Sequence, residues 1–113
     1  MKSQLITVDD HGITYMALRF VCPGCKSFGK SGLHVLPVNS NSPHHPPSWD
    51  WNWDQEKPSL SPSILTRIGD GQVCHSFLKD GVFWFLSDSA HQLAGTMVEM
   101  PDLPDWALKD GNR

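Results

Sequence analysis

Residues 4–8 and 13–21 carry closely spaced apolar positions and read as two strands around a turn at Asp9 to Gly12. In the second, Ile13, Tyr15, Ala17 and Val21 fall on one face and Met16, Leu18 and Phe20 on the other, so it is predicted to be covered on both sides. It delivers the chain straight into Cys22. After Cys22-Pro-Gly-Cys25 and the polar run KSFGKSG, a short strand is predicted from Leu33 to Val38. Periodicity then stops: residues 39–57 are rich in Pro, Ser, Asn and Trp and predict a long surface loop. Leu60 to Arg67 predicts an edge strand, because Pro58 and Pro62 remove ladder donors.

The clearest element is a β-hairpin over residues 72–87, where Asp80-Gly81 separates QVCHSFL and VFWFLS. Asp88-Ser89 then predicts a cap on a single helical turn, SAHQLA, closed by Gly95. A last strand, TMVEM, precedes a Pro-rich tail. These elements predict a mainly β fold: a small zinc-ribbon-like β-sheet or sandwich, with residues 1–113 forming one zinc-binding domain.

Composition changes this picture in three ways. At 113 residues the chain has room for a modest core, about two-thirds of the unfolded surface being buried at such a size. A net charge of −3 without a Lys/Arg cluster argues against a nucleic-acid surface. No apolar run is long enough for a signal peptide or a membrane span, which makes the cytoplasm the expected compartment.

The three cysteines are an odd count, which favours metal ligation over a complete disulfide framework. Two thiolates two residues apart bite one ion from a tight knuckle, and Pro23 and Gly24 suit that turn. A redox CxxC would instead sit at a helix N-terminus in a βαβ unit. Cys74 is the natural third ligand. Of His34, His75 and His91, His34 is the preferred fourth, because strand alternation puts Cys74 and His75 on opposite faces. The expected cofactor is zinc in a closed, structural Cys3His site.

A second group of polar residues follows from the hairpin register, which pairs Lys79 with Val82, Phe77 with Trp84, His75 with Leu86 and Val73 with Asp88. His75 and Asp88 become diagonal neighbours on one face, and a helical turn brings His91 to the side of Asp88. An Asp fixes a His tautomer, and that His serves as a general base for Ser61, Ser63 or a bound water. The bland alternative makes Asp88 a helix cap, His75 a packing partner of Trp84 and His91 a surface residue. In the loop, Trp49, Trp51 and Trp53 share one face if extended, either a platform for a host or phage protein or a lid over the core. His44 and His45 read as solvated.

Cys22-Pro-Gly-Cys25, His34, Trp51 with Trp53, KPSLSPS over residues 57–63 and CHSFLKDGVFWFLSDSAHQLAG over 74–95 resemble a family of small proteins of tailed phages, prophages and bacteria. The family is a domain of unknown function, some of whose members carry an ammonia monooxygenase label. A chain without a membrane span or an obvious copper site does not look like a monooxygenase. The resemblance implies a phage or prophage accessory protein with a zinc site. Some relatives sit beside bacterial ubiquitin-like conjugation genes, which is compatible with a peptidase that removes or processes such tags. The preferred functional reading is a zinc-stabilised phage or prophage module acting on a host protein, as in counter-defence; the alternative is a small peptidase or isopeptidase using His75, Asp88 and His91 with Ser63 or an activated water.

Overall fold

The computed structural model describes residues 1–40, 47–69 and 71–108. His44, His45 and Asp70 lie outside the described residues. The chain is mainly β and forms two antiparallel sheets. Strands β1 (Gln4–Asp10), β2 (Ile13–Val21) and β3 (Leu33–Pro37) make the first, in the order β1-β2-β3. The second runs β4 (Asp50–Trp51), β5 (Leu60–Gly69), β6 (Gln72–Lys79), β7 (Val82–Phe85) and β8 (Met97–Glu99), each beside the next. One apolar cluster joins them: Leu18 and Phe20 of β2 meet Leu60, Ile64, Leu78, Phe83 and Phe85 of the larger sheet. No helix among the described residues is long and apolar enough to cross a membrane.

The hairpin forms in the expected register over its first pairs, Lys79 with Val82 and Phe77 with Trp84. Asp80 and Gly81 take φ of +49° and +76°, the left-handed pair that lets a two-residue loop follow the strand twist. Three expectations are corrected. Residues 60–69 do not form a simple edge strand: β4 pairs with Leu60 and Ser61, and the pairing with β6 shifts register between Leu60 and Ile64, around Pro62. Val73 does not pair with Asp88; its carbonyl accepts from the Ala90 N–H at 2.7 Å. Residues 89–94 form successive turns rather than a helical turn, closed by Gly95 at φ +78°. The segment is tied to β6 by the Ala90 N–H and to β7 by the Gly95 N–H, which donates to the Phe85 carbonyl at 2.9 Å. The short helix, α1 (Pro23–Lys26), lies at the cysteine knuckle instead, with Pro near its start and Cys22 as its N-cap.

Candidate active site and metal centre

β6 separates two chemistries by alternation. Its odd-numbered side chains His75, Phe77 and Lys79 face outward, while Cys74, Ser76 and Leu78 are buried. On the outer face, His75 stands opposite Leu65 of β5, so Ser63, two residues back, is its diagonal neighbour on the same face. His75 Nε2 lies 3.0 Å from Ser63 Oγ, and Nδ1 lies 3.0 and 3.2 Å from the two Asp88 oxygens. These distances are in the range of a nucleophile hydrogen-bonded to its base and a base held by a third group. With Nδ1–H donating to the carboxylate, Nε2 is the free acceptor for the Ser63 hydroxyl proton. Ser63, rather than Ser61, reaches the imidazole. Its carbonyl accepts from Trp49 Nε1 at 3.3 Å.

The site is open. His75 is half-buried and Asp88 exposed. Around it the outer face is unusually apolar: Phe77, Trp84 and Met97 are direct cross-strand partners on β6, β7 and β8, and all three are exposed, as is Leu65. Lys79 Nζ sits 5.9 Å from the Phe77 ring centroid and 5.7 Å from that of Trp84, within cation–π range.

On the buried face, Cys22 follows β2 directly and caps α1, α1 presents Cys25, and β3 returns with His34 paired to Phe20. The ligand atoms of Cys22, Cys25 and His34 all lie within 4.8 Å of one another. Cys74 comes from the other sheet, its Sγ 3.7 Å from Cys22 Sγ, and Cys25 Sγ is 3.3 Å from His34 Nε2. Metal–sulfur bonds of about 2.3 Å in a tetrahedron place sulfurs about 3.7–3.8 Å apart, so the Cys22–Cys74 spacing is that of two ligands on one zinc ion. Protonation points the same way. Cys25 is held well below the usual thiol range, first by its hydrogen bond with Cys22 and then by those with Cys74 and His34. Cys22 is pushed up to about 12, first by its hydrogen bond with Cys25 and then by burial. Cys74 is raised as well, by its bonds with both other sulfurs and by burial. Three sulfurs in one buried pocket do not all ionise without a cation, and a divalent ion held there would supply that charge.

His91, grouped by the sequence with His75 and Asp88, is turned inward to the sulfurs, its Nε2 3.3 Å from Cys74 Sγ. The Leu93 N–H donates to its Nδ1 at 3.2 Å, so Nε2 carries the proton of the neutral ring and donates to the sulfur. Burial holds its pKa below the ordinary imidazole value, which keeps it in that neutral form. The tryptophans disperse rather than share a face. Trp51 is buried with its Nε1 donating to the Asp54 carbonyl, Trp49 supports Ser63, and of the three only Trp53 is exposed, its ring centroid 5.2 Å from that of Trp51.

Ser63, His75 and Asp88 are thus linked on one open face. The family model of the bacterial ubiquitination-like system serine protease (BubE) matches residues 1–86. The chain belongs to this family. The match contains Ser63 and His75 and ends two residues before Asp88. No curated protein and no solved structure matches the chain. The BubE match agrees with the small bacterial family expected from the sequence and favours the peptidase reading over the binding-module reading.

Proposed function

We propose that this BubE-family protein is a serine peptidase or isopeptidase that works on proteins handled by a bacterial ubiquitin-like conjugation system, with Ser63 as nucleophile, His75 as general base and Asp88 orienting the imidazole. The observation that carries it is the continuous Ser63–His75–Asp88 hydrogen-bond chain in a family of serine proteases. Geometry and roles, rather than order along the chain, identify such a set.

In the reaction, Ser63 Oγ attacks the acyl carbon while its proton passes to His75 Nε2. The tetrahedral species collapses as Nε2 returns that proton to the leaving amine, and the acyl group remains as an ester on Ser63. Water then attacks the ester, gives a proton to Nε2 and releases the carboxylic acid product, while Nε2 returns the proton to Ser63 Oγ. Asp88 accepts from Nδ1–H throughout and stabilises the imidazolium. Leu65, Phe77, Trp84 and Met97 offer a protein substrate apolar contact on the face where the serine stands.

Cys22, Cys25, Cys74 and His34 are proposed to hold a structural zinc ion, with His91 donating to the Cys74 sulfur. A closed Cys3His site supplies folding energy.

A fluorophosphonate probe tests the catalytic set directly, since it forms a Ser Oγ–P bond with loss of fluoride only at an activated serine. Peptide mapping is expected to find the adduct on Ser63, and Ser63→Ala and His75→Ala to abolish it. An unlabelled wild-type protein, or an adduct on another serine, would overturn the assignment.

A further inference from the structure

The β6–β7 ladder is regular through Ser76 and Phe85, and the next pair in register is His75 with Leu86. Such a pair exchanges two hydrogen bonds. Only one is present: the Leu86 N–H donates to the His75 carbonyl at 2.8 Å. The Leu86 carbonyl has turned away and accepts from the Ser89 N–H at 3.1 Å. The Ser89 hydroxyl fills the gap. Its Oγ accepts from the His75 N–H at 2.9 Å and donates to the His75 carbonyl at 3.0 Å. A hydroxyl is donor and acceptor at once, so this one buried side chain gives the His75 N–H its partner and adds a second donor to the His75 carbonyl beside the Leu86 N–H.

Asp88 is the neighbouring residue. The dipeptide Asp88-Ser89 therefore grips His75 at both ends, the carboxylate on ring Nδ1 and the hydroxyl on the backbone. Just beyond Ser89 the same segment holds β6 twice more, through the Ala90 N–H on the Val73 carbonyl and His91 on Cys74. Asp88 is exposed, and the carboxylate alone would be free to sample other rotamers and a shifted backbone. The buried clamp one residue away fixes where that carboxylate starts from.

We propose that Ser89 is a positioning residue for the catalytic pair: its hydroxyl locks the His75 backbone to the Asp88 segment and thereby holds the imidazole in the Nδ1–H tautomer with Nε2 toward Ser63. This rests on the proposed serine-peptidase reading. Loss of the hydroxyl leaves the His75 N–H without its partner and the His75 carbonyl with the Leu86 N–H alone, and it lets Asp88 drift from Nδ1; displacements of about 1 Å in such a site cost on the order of 100-fold.

The experiment compares the rate of fluorophosphonate labelling of Ser63 in wild type, Ser89→Ala, Ser89→Thr, Asp88→Ala and the Ser89→Ala/Asp88→Ala pair, with His75 imidazole nitrogens followed by NMR in each. Ser89→Ala is expected to label about 10- to 100-fold more slowly at full zinc content and to show averaged His75 tautomers. Ser89→Thr restores the hydroxyl and is expected to label within about threefold of wild type. In the Asp88→Ala background Ser89→Ala is expected to cost less than about twofold, because the partner it positions is gone. Wild-type labelling by Ser89→Ala with one clean Nδ1–H tautomer overturns the proposal, as does a full additive loss in the double variant. Should wild type itself fail to label, the peptidase reading fails, and the tautomer comparison still decides whether Ser89 positions His75. Ser89→Cys, with the same shape and weaker bonds, carries the comparison if Ser89→Ala does not fold.

Discussion

Gly24 shows how much one missing carbon does at this site. A Cβ at that position would stand 2.5 Å from His91 Nε2 and 2.6 Å from Phe85 Cε1, closer than any ordinary contact. The knuckle is thus pressed against the ring that donates to Cys74. Gly24→Ala is expected to cost about 1–3 kcal/mol by overpacking and to weaken zinc retention, read by urea melts and metal titration. Zinc retention at the level of wild type would mean that His91 moves freely and does not define the Cys74 sulfur. On the other face of β6, Asp88→Asn preserves shape but offers Nδ1–H a weaker acceptor and a competing donor. It is expected to slow fluorophosphonate labelling by about 100-fold or more, with unchanged melting. A rate within threefold of wild type would remove Asp88 from the set. The hairpin pattern already sets Asp88 beside His75, whereas Gly24 is visible in the sequence only as a turn residue of the knuckle, without the packing that gives it its role.

Elements with strong local rules are legible in the sequence. β2 spans the expected residues, and the Asp80-Gly81 turn sets the register that puts His75 on the outer face and Cys74 on the inner one. Strand alternation by itself therefore divides the cysteine chemistry from that of His75. Sequence patterns fail where long-range partners override local propensity: Ser89 has the look of a helix cap but spends its hydroxyl on His75, and His91 is drawn to the sulfurs. Neither contact has a periodic signal. The Trp-rich segment is illegible for a related reason, because its shape comes from side-chain to backbone bonds. Asn52 Oδ1 accepts from the N–H groups of Asp54 and Ser59, and Asp54 Oδ1 from those of Glu56 and Lys57. The Lys57 and Glu56 N–H groups, in that order, hold the Asp54 carboxyl below its usual range. A carboxyl with a depressed folded pKa contributes stability that is present above its unfolded value near 4 and is lost as pH falls through the folded one. Because Asp54 is exposed, the effect is local. Amide exchange at Glu56 and Lys57 is expected to accelerate, relative to neighbouring loop amides, as pH drops below about 4, and Asp54→Ala should remove that dependence. Equal exchange in both proteins across the range would discard the two bonds.

At the scale of the whole molecule the candidate metal centre lies where the two sheets meet. Cys22 stands between β2 and α1, Cys25 in α1 and His34 in β3, whereas Cys74 belongs to β6 of the larger sheet, and it is the neighbour of His75. Zinc held by these four would tie the smaller sheet to the strand that presents the general base. Without it, three buried sulfurs are left to share protons, a cost set against a core that is modest at this size. Chelation is therefore expected to lower the melting temperature, to reduce the near-ultraviolet circular dichroism of the buried Trp51, and to abolish Ser63 labelling in parallel, all three returning with added zinc. Cys74→Ser should reproduce that state, and His91→Ala should keep the ion with about 10- to 100-fold weaker affinity, since it removes a donor to a ligand rather than a ligand. If labelling disappears while melting and dichroism stay at their zinc-bound values, the ion acts in the chemistry and the structural assignment is wrong. If labelling, melting and dichroism all survive chelation, the sheets are held by the Leu18, Phe20 and Phe83 core alone, and the joint carries no weight in presenting His75.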